Sequence, residues 1–365
     1  MNVFLPLGLF LTILCYFFRT NPKSSRKAFI FSMIAAFVFA AIRYEFGPDY
    51  FNYHEIYDSI QGVDIDNYVG KGMTVEKPFL MLLSLFPNFT AFVVFLAILW
   101  FIPTTYFLGR YISPSYYWIA ILYLFIRSDY FLSSLVAMRT TLCAAIFLYA
   151  LYFLLKRKRV IYVALIILAA QFHTSSIILV LFVFLNTKNR SIIFSNLVLA
   201  AMGLMALLSV ATGENQVIEF ITTAVMDSIE ELQRYSEREI GGTGQSINTL
   251  IFRAISFVIL FYIAKSGEKE QNEENIILYK IAFFAAALSL IFGQSLISDR
   301  YLTILNPIFI ICIILSFNKN PKNLNTIIVF FLIVVALYIL YNKSTKSYFI
   351  TFLHYHTIFS APYIP

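Results

Sequence analysis

Across 365 residues, hydrophobic side chains make up 60% and charged ones only 13%, where a soluble globular domain carries roughly a quarter charged. The net charge of +7 comes from short basic runs between apolar segments, the positions that fix membrane orientation, which argues against nucleic acid as a partner. A soluble enzyme is excluded. What remains is an all-α, polytopic integral membrane helical bundle, one domain over 1–365, whose interior is helix packing in lipid.

A helix needs about 20 apolar residues to cross a bilayer core of roughly 30 Å. In chain order, the apolar runs place about 12 transmembrane segments at 2–18, 28–42, 79–108, 115–127, 131–155, 160–172, 174–186, 191–210, 248–265, 276–293, 301–317 and 324–341. The first has no basic residues ahead of it and no small-residue cleavage site behind it, so it is expected to be retained as a helix. Pro87-Asn88 interrupts the third, which reads as a broken or re-entrant piece. Basic turns at Arg19 to Lys27, Lys156 to Arg159, Lys188 with Arg190, Lys265 with Lys269, and Lys319 with Lys322 alternate along the chain and read as cytoplasmic. Two longer loops, 43–78 and 211–247, then lie outside, and both are more acidic than basic. The second holds an acidic amphipathic stretch, Glu219 to Glu239, followed by Gly241-Gly242-Thr243-Gly244, either a lid on a glycine hinge or a solvated surface helix.

The segments 160–172 and 174–186 are each too short to cross a full bilayer. A shallow hairpin with its tip at Gln171-Phe172-His173-Thr174-Ser175 fits best. The competing reading is one long tilted helix, which would invert everything downstream.

Cys15, Cys143 and Cys312 all fall inside apolar runs without metal or disulfide spacing. Asp64-x-Asp66 is too common a pattern to establish a metal site, and no His or Cys cluster accompanies it. No phosphate loop or nucleotide fingerprint is present. Neither a metal nor a cofactor is expected.

Arg139 stands out, because a charge within a transmembrane helix costs at least a few kcal/mol. Placed about two turns inside the fifth segment, it needs a partner: an anionic ligand, Asp129 or Asp299. Arg43 and Arg300 end apolar runs on the same side, with Arg253 as a fourth basic residue. Guanidinium groups converging there suit a pyrophosphate, whose oxygens match the planar fork; snorkelling along the helix is the plainer account. Asp49, after Gly47-Pro48, is either the N-cap of a helix starting near Tyr50 or a base for a sugar hydroxyl. Tyr50, Tyr53, His54 and Tyr57 share one helical face, as an interfacial belt or as a platform for sugar rings. His173, sunk at the hairpin tip, is a second candidate base.

Arg43-x-x-x-Gly47-x-Asp49-Tyr50-x-x-Tyr53, Arg139 in a later helix, Phe172-His173-x-Ser175, and Asp299-Arg300-Tyr301 together resemble the EpsG family of Wzy-type polysaccharide polymerases. One departure is Thr140, where the pattern has Gln. The resemblance implies a metal-independent glycosyltransferase that joins undecaprenyl-pyrophosphate-linked repeat units of O-antigen or exopolysaccharide. It implies a multi-pass protein of the bacterial inner membrane with its active site facing the periplasm, surrounded by membrane lipid and working beside a flippase and a chain-length regulator. Asp49 and His173 are then the catalytic candidates. Arg43, Arg139, Arg253 and Arg300 would bind pyrophosphate, and Tyr50, Tyr53, Tyr57, Asp299 and Tyr301 the glycan. An O-antigen ligase, a lipid-linked oligosaccharide flippase and a membrane scaffold remain as alternatives.

Overall fold

The structure, a computed structural model, describes residues 4–62, 65, 75–127, 130–187, 197–200, 203–204, 247–292, 296–317, 319, 325–330, 333–334, 337, 356–357 and 359. Helices dominate. In order they are α1 (Phe4–Phe17), α2 (Pro22–Ala41), α3 (Pro48–Ile60), α4 (Lys77–Ser84), α5 (Phe89–Tyr111), α6 (Tyr117–Ile126), α7 (Phe131–Val136), α8 (Met138–Leu155) and α9 (Arg159–Phe172). A 3-10 segment, Thr174–Leu181, follows α9 and leads into α10 (Phe182–Leu185); α11 (Ile247–Glu268), α12 (Glu273–Phe292) and α13 (Leu296–Ser316) come later. The one departure from all-helical structure among the described residues is a two-residue antiparallel ladder, in which β1 (Arg43–Tyr44) pairs with β2 (His356–Thr357). The described residues fall into two compact units, one drawn from 1–183 and 320–365, the other from 184–319.

Among the described residues three helices, Pro22–Ala41, Phe89–Tyr111 and Met138–Leu155, are long and apolar enough to cross a membrane, and there are shorter apolar helices as well. The chain is an all-α, membrane-embedded protein. Of the twelve expected segments, most of 191–210 and half of 324–341 lie outside the described residues, and so do nearly all of the second long loop and both acids of the Asp64-x-Asp66 pair.

Local chemistry sets the helix ends. The Asn21 carboxamide accepts from the backbone N–H of Lys23 (3.0 Å) and Ser24 (3.2 Å), and Pro22 opens α2, a cap that satisfies N–H groups the helix itself leaves unpaired. Asn88 does the same for Ala91 at 2.8 Å. The Pro87-Asn88 break therefore stands: residues 79–108 divide into α4 and α5.

In the first unit α8 packs on α9 and α5, α1 on α6, and α2 on α5. Polar groups inside are tied to neighbouring backbone, as an apolar surrounding requires: the Ser25 hydroxyl donates to the Pro114 carbonyl at 2.6 Å and the Tyr117 hydroxyl to that of Gly109 at 3.0 Å. Gly8 lets α1 approach α6 closely, since a Cβ there would lie 2.5 Å from the Phe125 ring.

Two expectations about helix continuity are settled. The fifth segment is not one helix, because the chain breaks at Ala137 (φ −76°, ψ 75°). The break is held by hydroxyls: Ser134 donates to the Phe131 carbonyl at 2.6 Å, and Thr141 shares its donor between the carbonyls of Ser134 (2.9 Å) and Ala137 (3.0 Å). Such local side-chain bonds compete with the helical ladder. The region 160–186 is a hairpin and not one long helix. His173 is extended (φ −158°, ψ 106°), and the Tyr162 hydroxyl of α9 donates to the Leu179 carbonyl on the returning 3-10 segment.

In the second unit α11, α12 and α13 pack together. Lys280, with no exposed surface, donates from Nζ to the Thr187 carbonyl (2.6 Å), the Thr187 hydroxyl (2.9 Å) and the Leu185 carbonyl (3.4 Å). Lys319 pairs with Glu270 at 2.6 Å.

Candidate active site

The break at Ala137 makes Arg139 the second residue of α8, at the helix mouth and not two turns within. Among the described residues it pairs with Glu76, an acid not among those expected. Arg139 Nη1 donates to Glu76 Oε2 at 2.5 Å, and Arg139 Nε donates to the Tyr53 hydroxyl at 2.9 Å. Asp129 lies outside the described residues, and Asp299 belongs to the second unit.

Glu76 reaches Arg139 because it is the residue on which α4 starts, followed by Lys77 and Pro78. Its other oxygen, Oε1, faces the hairpin tip, 3.4 Å from His173 Nδ1 and 3.4 Å from the backbone N–H of Thr174. The tip comes to this place because α9 runs back along α8 after the short turn Lys156–Lys158, bringing His173 beside the mouth of α8. Four segments thus meet: α3 through Tyr53, α4 through Glu76, α8 through Arg139, and the tip through His173. The side chains of Arg139, Glu76 and His173 are 12%, 14% and 5% exposed.

In this cluster the Arg139 cation and the Glu76 anion are paired. Burial would raise the Glu76 carboxyl, but the His173 hydrogen bond and the Arg139 guanidinium outweigh burial and hold it down at about 2; it is a carboxylate, and only an acceptor. Burial pushes the Tyr53 phenol up to about 12, with the negative charges of Asp49 and Glu76 adding to the rise and Arg139 opposing it. Tyr53 is therefore a neutral phenol that accepts from Arg139 Nε. The arrangement offers a fixed cation, an acceptor-only anion and an imidazole within one small, largely dry space. Those are the parts needed to steady an anionic leaving group and to remove a proton.

The remaining candidates are distributed around this centre. Asp49 is not the N-cap of α3: that position is Gly47, whose φ of 86° and ψ of 156° only glycine adopts readily, with Pro48 next and Asp49 in the first turn. Asp49 therefore sits where the helix dipole favours negative charge, near enough to Tyr53 to raise its phenol. Arg43, at the start of β1, is 2% exposed and donates from Nη1 to the Ala40 carbonyl at 2.5 Å, so it does not snorkel to water. Its charge is felt by Tyr50, which burial pushes up to about 12 against the pull of Arg43.

Tyr50, Tyr53 and Tyr57 are all buried, packed on Phe79 and Phe89, and the Tyr57 hydroxyl donates to the Phe86 carbonyl at 3.0 Å. His54, on the same face, stacks on Phe89 with ring centroids 5.0 Å apart. Arg253 lies on α11, and Asp299, Arg300 and Tyr301 on α13, all in the second unit; their side chains lie outside the described residues.

Glu76 is the site residue that sequence reasoning did not single out. Its signal was present in Val75-Glu76-Lys77-Pro78, an acid just ahead of a proline that opens a helix, but nothing local tied it to residues 63 and 97 positions away.

No curated protein and no solved structure matches the chain. The sequence model of the EpsG family, a polysaccharide-polymerase type of family, matches residues 26–357, a span that contains Arg43, Glu76, Arg139 and His173. On that match over nearly its whole length, the chain belongs to the EpsG family.

Proposed function

We propose that this protein is a Wzy-type polymerase that joins undecaprenyl-pyrophosphate-linked repeat units of O-antigen or exopolysaccharide at the outer face of the bacterial inner membrane. The observation that carries the reading is the meeting of Arg139, Glu76 and His173 in one largely buried cluster at the mouth of α8, in a membrane-embedded chain of a polysaccharide-polymerase family.

The hydroxyl of one lipid-linked unit attacks the anomeric carbon of the other. A carbon–oxygen bond forms, the bond from that carbon to the pyrophosphate oxygen breaks with its electron pair, and the hydroxyl proton passes to a base. Pyrophosphate leaves as an anion without needing a proton, so one base suffices. Arg139, with Arg43 on the same unit, bears on the charge growing on the pyrophosphate, a contribution of several kcal/mol in a water-poor site. His173 and Asp49 are the base candidates, and the buried tyrosines of α3 hold the wall on which the glycan rests. The reaction needs neither metal nor cofactor.

The surface-glycan ladder of a deletion strain, complemented with wild type, Arg139→Ala or Asp49→Ala, tests this. Glycan stopped at a single repeat on the lipid core is the expected result for the deletion and for Arg139→Ala. Loss of every repeat would favour a flippase or a ligase instead, and an unchanged ladder would remove the protein from glycan assembly.

A further inference from the structure

Glu76 touches both groups to which the polymerase reading gives work, and its two oxygens divide between them: Oε2 to Arg139, Oε1 to His173 and the Thr174 N–H. Arg139 Nη1 and the Thr174 N–H meet it as donors. Arg139 has no acceptor atom and the Thr174 amide has none on nitrogen, so a carboxylate is the one side chain of this size that satisfies both directions. At Nδ1, an acceptor-only oxygen requires the imidazole proton. In the neutral ring the lone pair then sits on Nε2.

We propose that Glu76 is the positioning residue of the polymerisation site, fixing His173 with its proton on Nδ1 so that Nε2 takes the proton of the attacking hydroxyl, while the same carboxylate holds Arg139 at the mouth of α8. The inference rests on the polymerase reading. It also chooses between the two base candidates: Asp49 is stabilised as an anion in the first turn of α3, whereas His173 has a carboxylate behind it to steady the imidazolium formed when the hydroxyl proton arrives. The proton moves from the hydroxyl to Nε2 as the new glycosidic bond forms and the pyrophosphate departs, and it is later given up to water. A buried acid behind a histidine plays this role in the serine hydrolases, where exchanging that acid for its amide leaves the wrong ring nitrogen protonated.

The same exchange is diagnostic here. In Glu76→Gln one oxygen remains, and Arg139, which can only donate, draws that oxygen to itself. The amide NH2 then faces Nδ1 and turns it into the acceptor, so the ring proton moves to Nε2. Size is conserved, and Glu76→Asp keeps the charge as a second variant.

The experiment uses full-length protein in lipid nanodiscs, labelled with 15N-histidine. The chain has four histidines, and the His173 signals are identified by their loss in His173→Gln. At mildly alkaline pH, wild type and Glu76→Asp are expected to show a protonated Nδ1 and a bare Nε2, and Glu76→Gln the reverse. In proteoliposomes supplied with lipid-pyrophosphate-linked repeat units, Glu76→Gln should lower kcat about 100-fold or more, with KM changed far less. Glu76→Asp should recover part of the loss, and Glu76→Gln combined with His173→Ala should be no slower than His173→Ala alone.

A proton on Nε2 in wild type, a ring state indifferent to Glu76→Gln, or a double variant slower by the product of the single effects would overturn the proposal. Wild-type polymer formation with an unchanged Glu76→Gln turnover overturns the positioning role alone. Wild type that forms no polymer overturns the polymerase reading, and the positioning role with it.

Discussion

Arg139 and Glu76, from the mouth of α8 and the start of α4, are joined by a 2.5 Å contact between Nη1 and Oε2, with 12% and 14% of their side chains exposed. Removing either member of such a pair leaves the other charge buried without its counter-charge, a loss of roughly 3–5 kcal/mol. Arg139→Ala and Glu76→Ala should each lower the unfolding midpoint in detergent, and the double variant should lose less than the sum. The reversed pair, Glu76→Arg with Arg139→Glu, is expected to recover part of the stability and none of the polymerisation. Recovered polymer would reduce the pair to a structural brace.

Acid should act on the same contact. The Glu76 carboxyl is held near 2 in the folded protein, against an ordinary value of 4.5. A carboxyl whose folded value lies below its unfolded one stabilises the fold fully above 4.5, and that contribution fades as pH falls from 4.5 toward 2. Unfolding followed across this window should show wild type losing stability more steeply than Glu76→Gln, which has no proton to gain. Equal slopes would mean that the carboxylate does not hold its partners in the way described.

Gly47 makes a local prediction. With φ 86° and ψ 156°, an alanine there costs about 1–3 kcal/mol of backbone strain and tilts the entry into α3, which carries Tyr53 to Arg139. Gly47→Ala should lower the unfolding midpoint and reduce polymerisation, whereas Asn52→Ala, on the exposed side of the same helix, should do neither.

Lys280 offers a test independent of the site. Its buried ammonium satisfies three oxygens of Leu185 and Thr187, so Lys280→Leu strands acceptors in an apolar surrounding at about 1–3 kcal/mol or more. Lower yield and a lower midpoint are expected. Lys280→Arg should not restore them, because the planar fork does not reproduce the compact ammonium. A fully stable Lys280→Leu would show that the three oxygens find other donors.

What the sequence made legible follows physical range. The Pro87-Asn88 break and the turn at His173 depend on a few neighbouring residues, and both stand in the structure. Arg139 was legible as a charge in need of a partner, because burial of a lone guanidinium is costly wherever it occurs. The identity of that partner was not, since Glu76 is 63 residues distant and sits in what reads as a polar connector. The break at Ala137 was hidden for another reason: it has neither proline nor glycine, and Ser134 and Thr141 take carbonyls with their hydroxyls instead. Asp49 read as a cap because cap preferences favour acids over glycine, while the positive φ that demanded Gly47 shows only in the folded backbone.

The three cysteines, Cys15, Cys143 and Cys312, are all buried free thiols, none with measurable surface. A water-borne thiol reagent therefore finds nothing to react with in the native chain, which is a silent background for reporter cysteines without prior removal of its own. Asn52 and Lys158 are both exposed, and a single cysteine at either becomes an address on one side of the bilayer. Tagging of intact cells at 52, and at 158 only after the membrane is opened, is the pattern that the proposed orientation requires.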